Sequence, residues 1–173
     1  MRFTWMLALG VASGAPSALP GAGFDIPAWA FDRGNVKTFT SQWADAGPMI
    51  AFGGRSPIFA EYDLELPAAG RFTLAIRYAA GTARPVELSV DGRPNGQVCR
   101  DATGSWNTSG ARWEESTQLD LTAGKHRFRL QRDDAFPHVV ALRLESPAIP
   151  DGYQPRRPGA RKLPAAEPVA AKQ

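Results

Sequence analysis

Phe59-Ala-Glu-Tyr-Asp-Leu-Glu-Leu-Pro-Ala-Ala-Gly-Arg-Phe-Thr-Leu-Ala-Ile-Arg-Tyr-Ala-Ala80 decides the fold class of this chain. Two alternating runs flank a Pro-Ala-Ala-Gly turn. Tyr62, Leu64 and Leu66 share one parity before it. Phe72, Leu74, Ile76 and Tyr78 share one parity after it, while Arg71, Thr73 and Arg77 take the other. A period of two with one apolar face is the mark of half-buried antiparallel strands. Pro67 lacks an amide donor and Gly70 weakens a strand interior, so together they place the turn. The two runs are expected to form a hairpin.

Working outward, the same alternation recurs at the spacing of an all-β sandwich. Strands are expected at 36–40, 59–66, 71–78, 85–90, 97–100, 114–121, 125–131 and 139–145, joined by Gly/Pro turns. Asp91-Gly92 closes a tight turn after the fourth. Residues 97–100 are its expected partner, and Thr122-Ala-Gly-Lys125 is a further turn. No sustained helical period follows the N-terminal segment. About eight strands in this pattern read as a jelly-roll β-sandwich.

The chain of 173 residues is 43% hydrophobic, enough for one real core plus tails. Residues 1–23 read as an export signal: Arg2 precedes a short apolar run over 3–11, then small residues and prolines. That run is too short to span a bilayer, which takes about 20 residues. Cleavage is expected within 13–23, placing the protein in the periplasm, at the cell surface or outside the cell. Residues 24–146 form the domain. From 147 to 173 the chain is rich in Pro, Ala and basic residues, with Tyr153 and Leu163 almost its only large apolar side chains, and is expected to be a disordered tail.

The net charge is +3, but Arg156, Arg157, Arg161, Lys162 and Lys172 crowd that tail and leave the body close to neutral. This argues against a nucleic-acid-binding face. The basic tail suits anionic surface polymers or a linker end. The single Cys99 excludes an internal disulfide. No Gly-x-Ser-x-Gly, His-Glu-x-x-His, Cys-x-x-Cys or phosphate-binding glycine loop occurs. The acidic pairs Glu61/Asp63, Glu114/Glu115 and Asp133/Asp134 read as solvated strand and turn positions. No catalytic residue is expected.

The loop 102–112 holds Trp106 amid Gly, Ser, Asn and Thr. Such a ring is either an anchor folded onto the body or a platform for a ligand ring. Sugar rings have an apolar C–H face that stacks on indole, while Asn, Ser and Arg bond the hydroxyls. Trp106 is the expected platform, with Asn107, Arg112 and His138 as polar partners. His138 lies beside Trp106 if both occupy one end of the sandwich; alternatively it is a turn residue before the last strand. Trp29 and Trp113 read as core, and Trp43 is open to either role.

Several blocks in order resemble the family 6 and family 35 carbohydrate-binding modules: Phe31-Asp-Arg-Gly-Asn-Val36, the 59–80 stretch, Arg84-Pro-Val-Glu-Leu-Ser-Val-Asp-Gly92, Thr103-Gly-Ser-Trp106, Leu121-Thr-Ala-Gly-Lys125 and Phe136-Pro-His-Val139. The resemblance covers most of 24–146. It implies a galactose-binding-like jelly roll that attaches to a polysaccharide or glycan without chemistry, through a cleft among the loops at one end. Trp106 matches the family's stacking aromatic and His138 the polar residue before the last strand. The family's structural calcium is held by an opening Glu-Ala-Glu and an acidic residue in the last strand. Here Pro27-Ala28-Trp29 and Val140 stand in those places, so the resemblance implies a lost calcium site and no cofactor. A protein-interaction or structural module of the cell envelope is the alternative.

Overall fold

The computed structural model describes residues 22–164. The expected export signal falls on residues outside these, apart from its last two. The described chain forms β1 (Gly23–Pro27), β2 (Arg33–Gly34), β3 (Val36–Phe39), β4 (Met49–Gly53), β5 (Ile58–Leu66), β6 (Gly70–Ala79), β7 (Val86–Val90), β8 (Arg93–Val98), β9 (Arg112–Leu121), β10 (Gly124–Arg132) and β11 (His138–Glu145), with one 3-10 turn at Thr108–Gly110. They build a β-sandwich of two antiparallel sheets. The first runs β3-β4-β11-β6-β9, with β1 also paired to β11, and the second runs β2-β5-β10-β7-β8. No helix among the described residues is long and apolar enough to cross a membrane.

The alternation read from the sequence sets the core. Tyr62, Leu64 and Leu66 of β5 and Phe72, Leu74, Ile76 and Tyr78 of β6 are all buried. The expected hairpin, however, does not form. β5 pairs with β10 and β2, while β6 pairs with β11 and β9. The turn at 67–70 is therefore a corner that carries the chain from one sheet to the other. β9 and β10 repeat this across 122–123. An amphipathic hairpin and an inter-sheet corner bury the same parity, and only long-range pairing separates them. Asp91-Gly92 does close a hairpin, between β7 and β8. Both residues have positive φ, 52° and 77°, as a two-residue turn matched to strand twist requires. The partner strand runs over 93–98 rather than 97–100. With Pro94 and Gly96 on a mostly exposed sheet edge, it carries almost no apolar signal. β4 went unread for the opposite reason: Met49, Ile50 and Ala51 are all buried, so nothing alternates.

Two side-chain expectations also change. Trp113 is not core: it lies 39% exposed on the outside of β9, under the guanidinium of Arg143 at 4.4 Å. The segment after 146 is not free of the body over its described length. Ile149 is buried, Tyr153 meets Phe24 edge-on at 5.9 Å, and the Tyr153 hydroxyl donates to the Glu65 carbonyl at 2.6 Å. Arg157 donates to Asp32 Oδ2 at 2.7 Å and to the Ala30 carbonyl. The Arg161 guanidinium lies 4.4 Å from the Phe31 ring. The sequence reading failed because this strap docks mainly through cationic side chains, which a count of apolar residues misses.

Candidate functional site

β11 begins at His138 opposite Ala79, where β6 ends, and Tyr78 faces Arg112, where β9 begins. β4 joins β11 through Ile50 and Val139. The loops at 40–48, 80–85, 99–111 and 133–137 therefore gather at one end of the sandwich. This brings together three residues singled out in the sequence: Trp43, Trp106 and His138.

The His138 ring sits at the centre, 5.2 Å from both indoles and 5.9 Å from Phe52. Phe39 meets Trp43 and Phe52 edge-on. Phe39 and Phe52 carried no signal in the sequence. Phe52 reaches the cluster because β4 carries a bulge against β3: Val36 pairs with Gly53 and Lys37 with Ala51, leaving Phe52 as the extra residue. A bulge re-aims a side chain that alternation would place elsewhere. Both Phe52 and Trp43 occupy the left-handed region, with φ of 41° and 60°. That conformation costs a bulky L-residue of order 1–3 kcal/mol and persists only where surroundings enforce it.

The enforcing contacts are polar. Thr108 N donates to the Trp43 carbonyl at 2.8 Å. Asp45 receives the Thr108 hydroxyl, the Ser109 amide and the Ser109 hydroxyl, at 3.1, 2.9 and 2.6 Å. The Ser109 hydroxyl and amide hold the Asp45 carboxyl below its ordinary range. Ala46 N donates back to the Thr108 hydroxyl at 2.8 Å. Loop 40–48 is thus laced to loop 99–111, and Thr108 is fully buried beneath the joint.

Trp106 is half-buried and packs on the core. A Cβ at Gly81 would lie 2.4 Å from its Nε1, so the indole edge needs a glycine there. The Arg84 guanidinium sits 4.1 Å from its ring centroid, and Arg84 is anchored on the Phe136 carbonyl at 3.1 Å. One edge and part of the ring surface are therefore covered. His138 is 1% exposed, so it supports the indoles from beneath rather than standing at the surface. Its Nδ1 donates to the Trp106 carbonyl at 2.5 Å. A carbonyl only accepts, so Nδ1 carries the proton and Nε2 is the free acceptor of the neutral ring. Asn107 and Arg112 are exposed near these loops. Arg112 makes no side-chain hydrogen bond, ion pair or ring contact among the described residues, so the structure ties it to no member of the cluster.

Burial pushes the His138 imidazole below its ordinary value of 6.5, outweighing the Trp106 carbonyl. The sign follows. The unfolded chain binds the proton at higher pH than the folded one, so His138 leaves stability intact above pH 6.5 and removes it as pH falls from there through the folded value. Urea unfolding at pH 7.5 and pH 5.5 is expected to show this loss, and His138→Gln to flatten it. An unchanged slope in His138→Gln would place the titration elsewhere.

The places to which the resemblance assigns a calcium lie side by side. Pro27 pairs with Ala141, and Ala28 N donates to the Val140 carbonyl at 2.9 Å. Pro27, Trp29 and Val140 bring no side-chain oxygen there, and Trp29 packs on the core. These residues do not fit the ion.

A second concave surface lies on the outer face of β2, β5, β10 and β7. It is a groove of about 890 Å³ walled on one side by the 156–159 segment and ending at the Asp91-Gly92 turn. Its floor is an ion-pair network. Arg33 bonds Glu61 and Asp63 at 2.8 and 2.7 Å, Arg127 bonds Asp63 at 3.0 Å, and Arg129 bonds Glu61 at 2.6 Å. Burial works to raise both carboxyls, but the arginines overcome it and hold Glu61 and Asp63 below their ordinary ranges.

No family model matches the sequence, and no curated protein matches it. Solved structures do match in fold. The C-terminal family 6 module of a marine laminarinase from Zobellia galactanivorans superposes with a TM-score of 0.59 at 17% identity, covering 72% of this chain and 99% of that one. A family 35 module from Cellvibrio japonicus gives 0.54 at 20% identity, covering 72% and 94%. An exo-β-1,3-galactanase from Phanerochaete chrysosporium gives 0.59 at 18% identity, but this chain spans only 29% of it. The chain has the fold of the family 6 and family 35 carbohydrate-binding modules, a two-sheet β-sandwich with its loop cluster at one end.

Proposed function

We propose that this protein is a non-catalytic, exported carbohydrate-binding module whose glycan site is the loop-end aromatic cluster. Trp43, with Phe39 and Phe52, forms the half-exposed apolar surface for a sugar ring. Trp106 and His138 hold it in place, and the exposed Asn107 beside Trp106 offers hydrogen-bonding groups, while Arg112 touches no member of the cluster and is assigned no part. The observation that carries this reading is the pair of left-handed aromatics. The fold spends backbone strain on Trp43 and Phe52, and strain of that kind collects at ligand clamps. A similar module, from Cellvibrio mixtus lichenase 5A, was solved in complex with cellotriose. Carbohydrate is therefore the ligand class to test first.

The test is Trp43→Gly. Glycine relaxes the backbone at φ 60° and removes the ring, so the strain relieved offsets the packing lost. Stability is expected to stay within about 1–2 kcal/mol of the parent while retardation on the bound polysaccharide is lost. Retention equal to the parent on every gel would overturn the site. N-terminal sequencing of protein exported by its host checks the cleavage within 13–23. Calcium is expected to add nothing: melting in excess calcium and in chelator should coincide, since a ligand that binds the native state raises its apparent stability. An upward shift of several degrees would show a site elsewhere.

One observation favours a structural or protein-interaction module instead. Trp106, the residue aligned with the family's stacking platform, is backed by Gly81 and covered by Arg84. A folded parent protein that no polysaccharide retards would select that reading.

A further inference from the structure

We infer that Asp45 is the positioning residue of the loop-end site: it holds Trp43 in the conformation that meets the ligand and does not itself touch the ligand. The inference rests on the reading of that cluster as a glycan site. Trp43 sits at φ 60°, a region that a bulky residue leaves for commoner ones unless it is held. Loop 40–48 contributes two turn bonds of its own, Ala44 N to the Ser41 carbonyl at 3.2 Å and Gly47 N to the Ala44 carbonyl at 3.1 Å. Both are local, and neither reaches the rest of the fold. The half-exposed Trp43 ring meets Phe39, Phe52 and His138 only edge-on or tilted, with centroids 6.0, 5.9 and 5.2 Å away.

The polar hold comes from the facing loop. Asp45 spends both its oxygens on the 3-10 turn at Thr108–Gly110: Oδ1 accepts the Thr108 hydroxyl and the Ser109 amide, and Oδ2 accepts the Ser109 hydroxyl. The turn's own capping residue, Asn107, makes no side-chain cap bond, so a carboxylate from another loop takes that place. Bonds to an ionised acceptor are the stronger kind. The turn is a firm anchor, because Thr108 is fully buried and its amide holds the Trp43 carbonyl at 2.8 Å. The clamp therefore closes on Trp43 itself and again two residues beyond it. Asp45 is exposed, so water would satisfy its carboxylate if the clamp opened. The core does not require this residue, and its effect falls on the shape of the loop. A site whose competent conformation is populated only part of the time binds more weakly by that fraction.

The experiment uses the full chain, with laminarin, mixed-linkage β-glucan, xylan and galactan in affinity gels as probes. On whichever of them retards the parent, Asp45→Ala is expected to bind about tenfold more weakly, as the held fraction falls. Its melting midpoint should stay within about 4 °C of the parent. Asp45→Asn keeps an oxygen for the Ser109 amide and should recover much of the affinity. Ser109→Ala should also weaken binding, and the double variant should bind no worse than Asp45→Ala, because both groups act through one clamp. Near-ultraviolet circular dichroism separates positioning from contact. Free Asp45→Ala should lose the part of the signal that Trp43→Gly also lacks, and saturating polysaccharide should restore it. Parent-like affinity in Asp45→Ala, a parent-like spectrum of that variant when free, additive losses with Ser109→Ala, or a much lower midpoint would each overturn the inference while the glycan site stands. If none of the four polysaccharides retards the parent, the glycan reading fails and takes this inference with it.

Discussion

Removing residues 147–173 is expected to lower the melting temperature by roughly 10–20 °C. Two contacts dominate the loss, beside the Tyr153 and Arg161 contacts on Phe24, Glu65 and Phe31. Ile149 is 4% exposed and contributes about 1.5–3 kcal/mol by burial. The larger part comes from Arg157. Its side chain is 10% exposed and that of Asp32 only 4%, and they meet at 2.7 Å. Deleting Arg157 leaves a buried carboxylate with the Asp63 amide, at 2.9 Å, as its remaining donor. Removing one partner of such a pair costs about 3–5 kcal/mol, more than the pair itself is worth. For a domain of this size each kcal/mol moves the midpoint by about 2–4 °C. Arg157→Ala alone should reproduce most of the drop. Asp32→Asn with Arg157→Met should recover much of it, because no uncompensated charge is then left inside. A truncated protein that melts with the parent would show that the strap is dispensable and that Asp32 finds another donor.

Trp106→Ala is expected to cost about 3 kcal/mol of stability, at the lower end of the range for a large aromatic because the ring is half-buried. Three contacts go at once: the packing against Gly81, the Arg84 guanidinium at 4.1 Å, and the tilted His138 ring with its centroid at 5.2 Å. The Arg84 guanidinium, which burial already holds below its ordinary value, loses its ring partner. Trp43→Gly removes a ring of the same size for far less. The pair therefore divides the two jobs an aromatic can have in this cluster, holding the loop and facing the ligand. Thermal unfolding and affinity-gel retardation on both variants read them separately. A Trp106→Ala protein that keeps the parent midpoint and loses retardation would move the stacking role back to Trp106.

The sequence by itself determined which face of β5 and of β6 is inside. The parity of Tyr62, Leu64 and Leu66, and of Phe72 through Tyr78, is set by the pleat, and every one of these apolar residues is buried, although Glu61 and Ala75 of the other parity are buried as well. The Asp91-Gly92 hairpin was legible for a similar reason, since two positive-φ residues between strands are a local demand. The family resemblance placed Trp106 and His138 at one end, and there they meet. Tertiary structure decided everything that depends on which strand lies beside which. The turn at 67–70 joins two sheets because β5 finds β10, many residues downstream, and no local signal encodes that choice. Phe52 joins the aromatic cluster because a bulge, visible only in the register of β3 against β4, turns it there. The strap after β11 docks where it both pairs Asp32, through Arg157, and covers it, through Gly159, a match that appears only once the fold exists. The groove has the same origin: alternation put the cationic parity of β10 outside, and cross-strand pairing then set it against the acidic parity of β5, which fixes the donors in place.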